Sequence, residues 1–141
     1  MKFNYKKIIG ASLLIWIVQS IIIMLTCGWL FSWVYEIDPI IWKDMAAMFT
    51  LTNTIGMYSI SLIGAFLFVI VFNILYKGIP KKGLEKGLVY GFLVWLIAPL
   101  VGMASMPFYM TISWIVIIYW LIQALVLYII KGAIVGYIFK K

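Results

Sequence analysis

Apolar residues run in three long uncharged stretches, Ile8–Tyr35, Met45–Tyr76 and Gly87–Ile130, and every charged side chain falls outside them or at the end of one. A helix rises about 1.5 Å per residue, so about 20 residues cross a hydrocarbon core about 30 Å thick. The first two stretches each hold one span. The third is about twice the length one span requires, and it divides where helix breakers fall, at Pro99, Gly102 and Pro107. The pattern predicts an all-α integral membrane protein of one domain, residues 1–141, with four transmembrane helices over 8–34, 54–76, 84–103 and 109–138.

Between the first two spans lies a segment of mixed polarity, 36–50. Asp38 stands as an N-cap with Pro39 at the first helical position, and Ile41, Met45, Met48 and Phe49 recur at helical spacing. This reads as a short amphipathic helix at the membrane interface. Trp29, Trp33, Tyr35 and Trp42 cluster at the same level, as an aromatic belt would.

Composition agrees with the pattern. The chain is 67% hydrophobic and 11% charged, with a mean hydropathy of +1.17, where soluble domains are roughly 45–50% apolar and 25% charged. A disulfide scaffold, a disordered chain and a water-soluble enzyme are excluded. The net charge of +7 is distributed as a topology map. Lys2, Lys6 and Lys7, then Lys77, Lys81, Lys82 and Lys86 (with Glu85), then Lys131, Lys140 and Lys141 form three basic clusters, while Glu36, Asp38 and Asp44 outweigh Lys43. The positive-inside rule places both termini and the 77–86 loop in the cytoplasm, with 35–53 and the uncharged 103–108 turn outside. Four spans satisfy all of these at once, which predicts a multi-pass plasma-membrane protein. Topogenic lysines account for the basic charge without nucleic acid, and the absence of arginine disfavours bidentate phosphate recognition. The N-terminal lysines and apolar run resemble a signal peptide, but the run reaches Tyr35, so the first span is expected to be retained.

Two hairpins of two spans each are predicted. Lys7 and Lys86 both precede a tryptophan, Trp16 and Trp95, by the same interval, and Leu62–Phe68 resembles Leu121–Leu127. A parallel duplication of one hairpin is one explanation, and chance similarity between apolar helices is the other. Close approach of helices in lipid comes from small residues. Gly87 and Gly91 open the third span, Gly132 and Gly136 close the fourth, and the two pairs are expected to face each other at one crossing. Gly56 and Gly64 put a glycine track on one face of the second span, for packing within the chain or a homodimer seam. Ile117 is read as facing lipid.

Gln19, Ser20, Asn73 and Gln123 stand out as polar positions within apolar spans. They serve either as interhelical hydrogen bonds, at roughly 1 kcal/mol each, or as the lining of a polar path. Histidine is absent and Cys27 is the single cysteine, so histidine-ligated metals, haem, cysteine clusters and serine–histidine chemistry are excluded. Cys27 reads as a small apolar filler. No carboxylate lies mid-span, where proton-coupled transport would place one. The outer group Glu36, Asp38 and Asp44 is the surviving acid–base candidate, and capping explains Asp38 without chemistry. No catalytic, metal or cofactor-binding residue is expected.

In outline the chain resembles the small four-span membrane proteins of prokaryotes. Fluoride channels and small multidrug transporters are similar in length, but their glycine–arginine and membrane-embedded glutamate signatures are missing here, so their functions do not carry over. The expected role is a non-enzymatic membrane subunit, assembly factor or oligomeric scaffold acting through helix–helix contacts. Its partners would be the bilayer and either further copies or other membrane proteins. The alternative is an oligomeric channel or carrier for a small neutral or weakly polar solute.

Overall fold

A computed structural model describes residues 4–140, apart from the Met45 side chain, so Lys2 and Lys141 lie outside the described residues. Three of the four spans begin where a polar side chain takes up a free backbone N–H. Asn4 accepts from the Lys7 amide at 3.2 Å and starts α1, Tyr5–Leu25. A π-helical turn, Thr26–Leu30, carries α1 onward. After the single turn α2, Met45–Met48, Thr50 accepts from the Asn53 amide at 3.4 Å to start α3, Leu51–Leu75. Then come α4 (Gly83–Trp95), a π-helical turn at Leu96–Leu100, and α5 (Val101–Ala104). Ser113 accepts from the Ile115 amide and starts α6, Trp114–Ile138. The four segments long and apolar enough to cross a membrane are Tyr5–Leu30, Leu51–Leu75, Gly83–Phe108 and Trp114–Ile138. The chain is an all-α, four-helix membrane protein.

Three expectations about the elements are corrected. Pro99, one of the breakers at which the third stretch is expected to divide, does not interrupt the helix. It sits inside the π-helical turn, whose wider winding accommodates a residue without an N–H. The helix therefore continues to Ala104, and the fourth span starts at Trp114, not at residue 109. The outer segment is not an amphipathic helix from Asp38: residues 37–44 follow an irregular path with no helical turn. The only α-helix there is α2, whose cap is Asp44, accepting from the Ala47 amide at 2.8 Å. The segment is anchored instead by Val34, Ile37 and Trp42, which pack on Ile112, Val116 and Ile117. Ile117 is consequently buried, at 1% exposure, and does not face lipid.

Helices α1 and α3 form one antiparallel hairpin, α4 and α6 the other, and α1 also lies against α6. Both hairpins use a tryptophan in the same way. Trp16 Nε1 donates to the Tyr58 carbonyl at 3.1 Å, and Trp95 Nε1 to the Leu121 carbonyl at 3.0 Å. The match between Leu62 and Leu121 would pair Tyr58 with Ile117, so the two bonds stand one helical turn apart in register.

Two apolar clusters close the ends of the bundle. At the lysine-rich end Ile8, Ile15, Phe68, Val69, Phe72, Tyr90 and Val135 are buried together. Lys86 is buried there too, its Nζ donating to the Tyr76 carbonyl at 2.7 Å and lying 4.3 Å from the Tyr76 ring centre. Lys7 Nζ donates to the Ile138 carbonyl at 3.3 Å, which brings the N-terminal helix beside the end of α6. At the opposite end the Val34 cluster is completed by the edge-on pair Trp42 and Trp120, 5.5 Å between ring centres. Burial, reinforced by a hydrogen bond to Cys27, raises the Tyr35 phenol pKa above its ordinary value.

Candidate functional site

The four glycines of α4 and α6 meet at one crossing. A Cβ at Gly87 would stand 2.6 Å from the Gly136 Cα, and one at Gly136 would stand 2.8 Å from the Gly83 carbonyl oxygen. Gly91 faces the Tyr128 carbonyl and Gly132 the Gly87 carbonyl even more closely. Backbone thus meets backbone, with no room for a methyl group. Gly56 and Gly64 share the spacing logic but not the outcome: a Cβ at either would find nothing within 4 Å. They do not pack helices within this chain.

The polar residues divide by position on their helices. Gln19, 5% exposed, reaches from α1 to α3, where its Nε2 donates to the Ser61 hydroxyl and, at 3.2 Å, to the Ser61 carbonyl. Gln123 reaches from α6 to the π-helical turn of α1, its Nε2 donating to Thr26 Oγ1 at 2.5 Å and to Cys27 Sγ at 3.1 Å. Cys27 Sγ also lies 3.7 Å from the Tyr119 hydroxyl. Ser20 and Asn73 turn back on their own helices, to the Trp16 carbonyl and the Val69 carbonyl, each at 2.8 Å. Two of the four therefore connect helices and two do not. Their partners Ser61 and Thr26 carried no distinguishing signal in sequence, since a hydroxyl in a span ordinarily bonds its own helix. Cys27 was read as filler and proves to be an acceptor.

Between the two closed ends the bundle is open. A cavity of about 400 Å³ runs between the hairpins and is lined by all four spans, including Gln19, Ser61, Leu67, Tyr90, Val94 and Lys131. A second cavity of about 400 Å³ adjoins it, lined by Met103, Trp120, Gln123 and Ala124. Ile23, Leu127 and Tyr128 border both. On the α3 side the rim residues Gly64, Leu67 and Val71 are exposed, so the first cavity opens sideways into the bilayer.

Lys131 is the residue whose place the sequence conceals most. Its charge groups it with the C-terminal lysines, yet it belongs to α6, seven residues before the helix ends at Ile138. It is partly buried, and its Nζ lies 4.9 Å from the centre of the Tyr128 ring, one turn further into the span. No known protein family, curated protein or solved structure matches the chain.

Proposed function

We propose that the chain is a non-enzymatic subunit or scaffold of the plasma membrane that works by associating with further transmembrane helices, in the first place those of a second copy. The observation that supports this is the unoccupied glycine track on α3. Glycine is less favourable than alanine in a helix by about 1 kcal/mol, and Gly56 and Gly64 bring no compensating contact inside the chain. Ile60 and Ile63, between them, are exposed as well. Such a face accepts the close approach of another helix. Gly56→Leu should shift a dimer to monomer in mild detergent, read by single-molecule photobleaching or cross-linking, while the monomer's thermal stability stays unchanged. A wild-type protein that is monomeric throughout, with no co-purifying membrane partner, would sink the proposal.

The carrier reading has less support, because Gln19 and Gln123 are engaged in bonds between helices and Ser20 and Asn73 in bonds along them. For orientation we infer cytoplasmic termini and an outer 35–53 segment, since Lys7, Lys86 and Lys140 gather at one end of the bundle. In a Cys27→Ala background, Asp44→Cys should react with an impermeant maleimide in intact cells and Lys82→Cys only after lysis. The reverse pattern would invert the protein.

A further inference from the structure

We propose that the cavity between the hairpins binds a long-chain carboxylate from the bilayer, its head group on Lys131 and its tail extending toward Trp120. Three observations converge on this ligand. The first is an ammonium without a counter-ion. Among the described residues the one ion pair joins Lys81 to Glu85, both exposed, and Lys131 makes no hydrogen bond or ion pair. The four acidic residues are Glu36, Asp38, Asp44 and Glu85, all outside the span interiors at the level of Lys131. A cation held within a span ordinarily finds an anionic partner or reaches back to the interface. Among the described residues no such anion lies beside Lys131.

The second observation is direction. A helical side chain leans toward the N-terminal end of its helix, and for α6 that is away from the lysine-rich end. Lys131 follows this lean, lying over Tyr128 and lining the cavity together with Gln19 and Ser61. It therefore carries its charge into the groove rather than back to the nearer surface. A phospholipid phosphate, held at the head-group level, would meet a lysine that snorkels outward; a carboxylate at the tip of a single chain can sit deeper.

The third is shape. The exposed rim at Leu67 and Val71, on the lysine-rich side of the Gly56–Gly64 track, admits a molecule dissolved in the bilayer. Beyond Lys131 the lining is mostly apolar, with the amides of Gln19 and Gln123 and the Ser61 hydroxyl tied up in bonds between helices, and it passes by Leu127 into the second cavity, beside Met103 and Ala124. From Lys131 to Trp120 the distance along the helix axis is about 16 Å, the reach of one extended acyl chain. The volume of about 400 Å³ for each cavity falls in the range of small-ligand sites.

Palmitate is the probe, titrated into the full-length protein in phosphatidylcholine nanodiscs, with hexadecanol and phosphatidylglycerol as comparisons. The expected result is saturable binding of palmitate at one molecule per chain. Losing the charge-assisted contact costs roughly tenfold or more in affinity, so Lys131→Gln should weaken palmitate by that factor and Lys131→Arg should largely restore it. Lys140→Gln, at the same end but exposed, should change nothing. Hexadecanol should bind the wild type no better than palmitate binds Lys131→Gln. Leu127→Trp, which fills the passage between the cavities and leaves Lys131 and the Gly56–Gly64 face intact, should abolish binding. Purely non-saturable partitioning would overturn the proposal, as would equal affinity for hexadecanol. Displacement of palmitate by phosphatidylglycerol at equal concentration would also overturn it, by making the occupant a phospholipid. The wild-type comparisons decide the matter even if a variant fails to fold.

Discussion

Gly91→Ile and Gly136→Ile are each expected to lower the melting temperature of the detergent-solubilised protein more than any conservative change on the lipid face. At both positions the atoms that a new Cβ would meet are backbone, the Tyr128 carbonyl in one case and the Gly83 carbonyl oxygen in the other. A flexible side chain could swing aside; a helix backbone must translate as a body. Overpacking typically costs about 1–3 kcal/mol, and the backbone character of these contacts places both variants toward the upper end. Because the two residues share one interface, the double variant should lose less than the sum of the single losses. Ile122→Leu, at a position 59% exposed, is the control and should melt as the wild type does. Equal melting of all four proteins would mean that α4 and α6 do not cross where the glycines are.

Phe72→Ala is expected to cost about 3–5 kcal/mol, the range for emptying a buried aromatic site. Phe72 is fully buried and its ring faces three others, Tyr90 at 5.1 Å, Tyr76 at 5.6 Å and Phe139 at 6.0 Å between centres. Tyr90 is itself fixed, its hydroxyl donating to the Phe68 carbonyl at 2.9 Å. These neighbours come from α3, α4 and the end of α6, so the cavity left by removing the ring could not be closed by moving one helix alone. Phe72→Leu should recover a large part of the loss. Thermal or denaturant unfolding in mixed micelles measures both. A loss below about 1 kcal/mol would show that the site collapses freely and that this cluster does not hold the lysine-rich end together.

The number of spans was legible because charge in this sequence is confined to a few clusters, and a charge-free stretch of known length has one reading in a bilayer. The glycine crossing was legible for a similar reason: two pairs at four-residue spacing lie near the same end of neighbouring helices. For Gly56 and Gly64 spacing revealed a smooth face but not what lies opposite, and of the two readings, packing within the chain or a homodimer seam, the open space around both glycines leaves the second. Periodicity failed for Ile117 too, because what covers it is the irregular 34–42 segment, whose path a hydrophobic pattern does not encode. Pro99 was read with Gly102 and Pro107 as a helix breaker that divides the third stretch, and the π-helical turn absorbed it. Asp38 and Asp44 are equally good caps in sequence; the helix formed after Asp44, where Met45, Ala46, Ala47 and Met48 favour it. Lys131 was grouped by its charge with lysines at the end of the chain, although its helical position aims it elsewhere.

The bond between Gln123 and Thr26 has a consequence in time. At about 5–20 residues per second of synthesis, the ribosome delivers Thr26 several seconds ahead of its partner. Throughout that interval α1 is already in place, and Thr26 is not left wanting, because its hydroxyl donates to the Ile22 carbonyl at 2.7 Å. Gln19 waits a shorter time, for Ser61. The first helix to be made is thus the last to be fully joined, and its own backbone shields the waiting hydroxyl from the hydrocarbon until the final helix arrives.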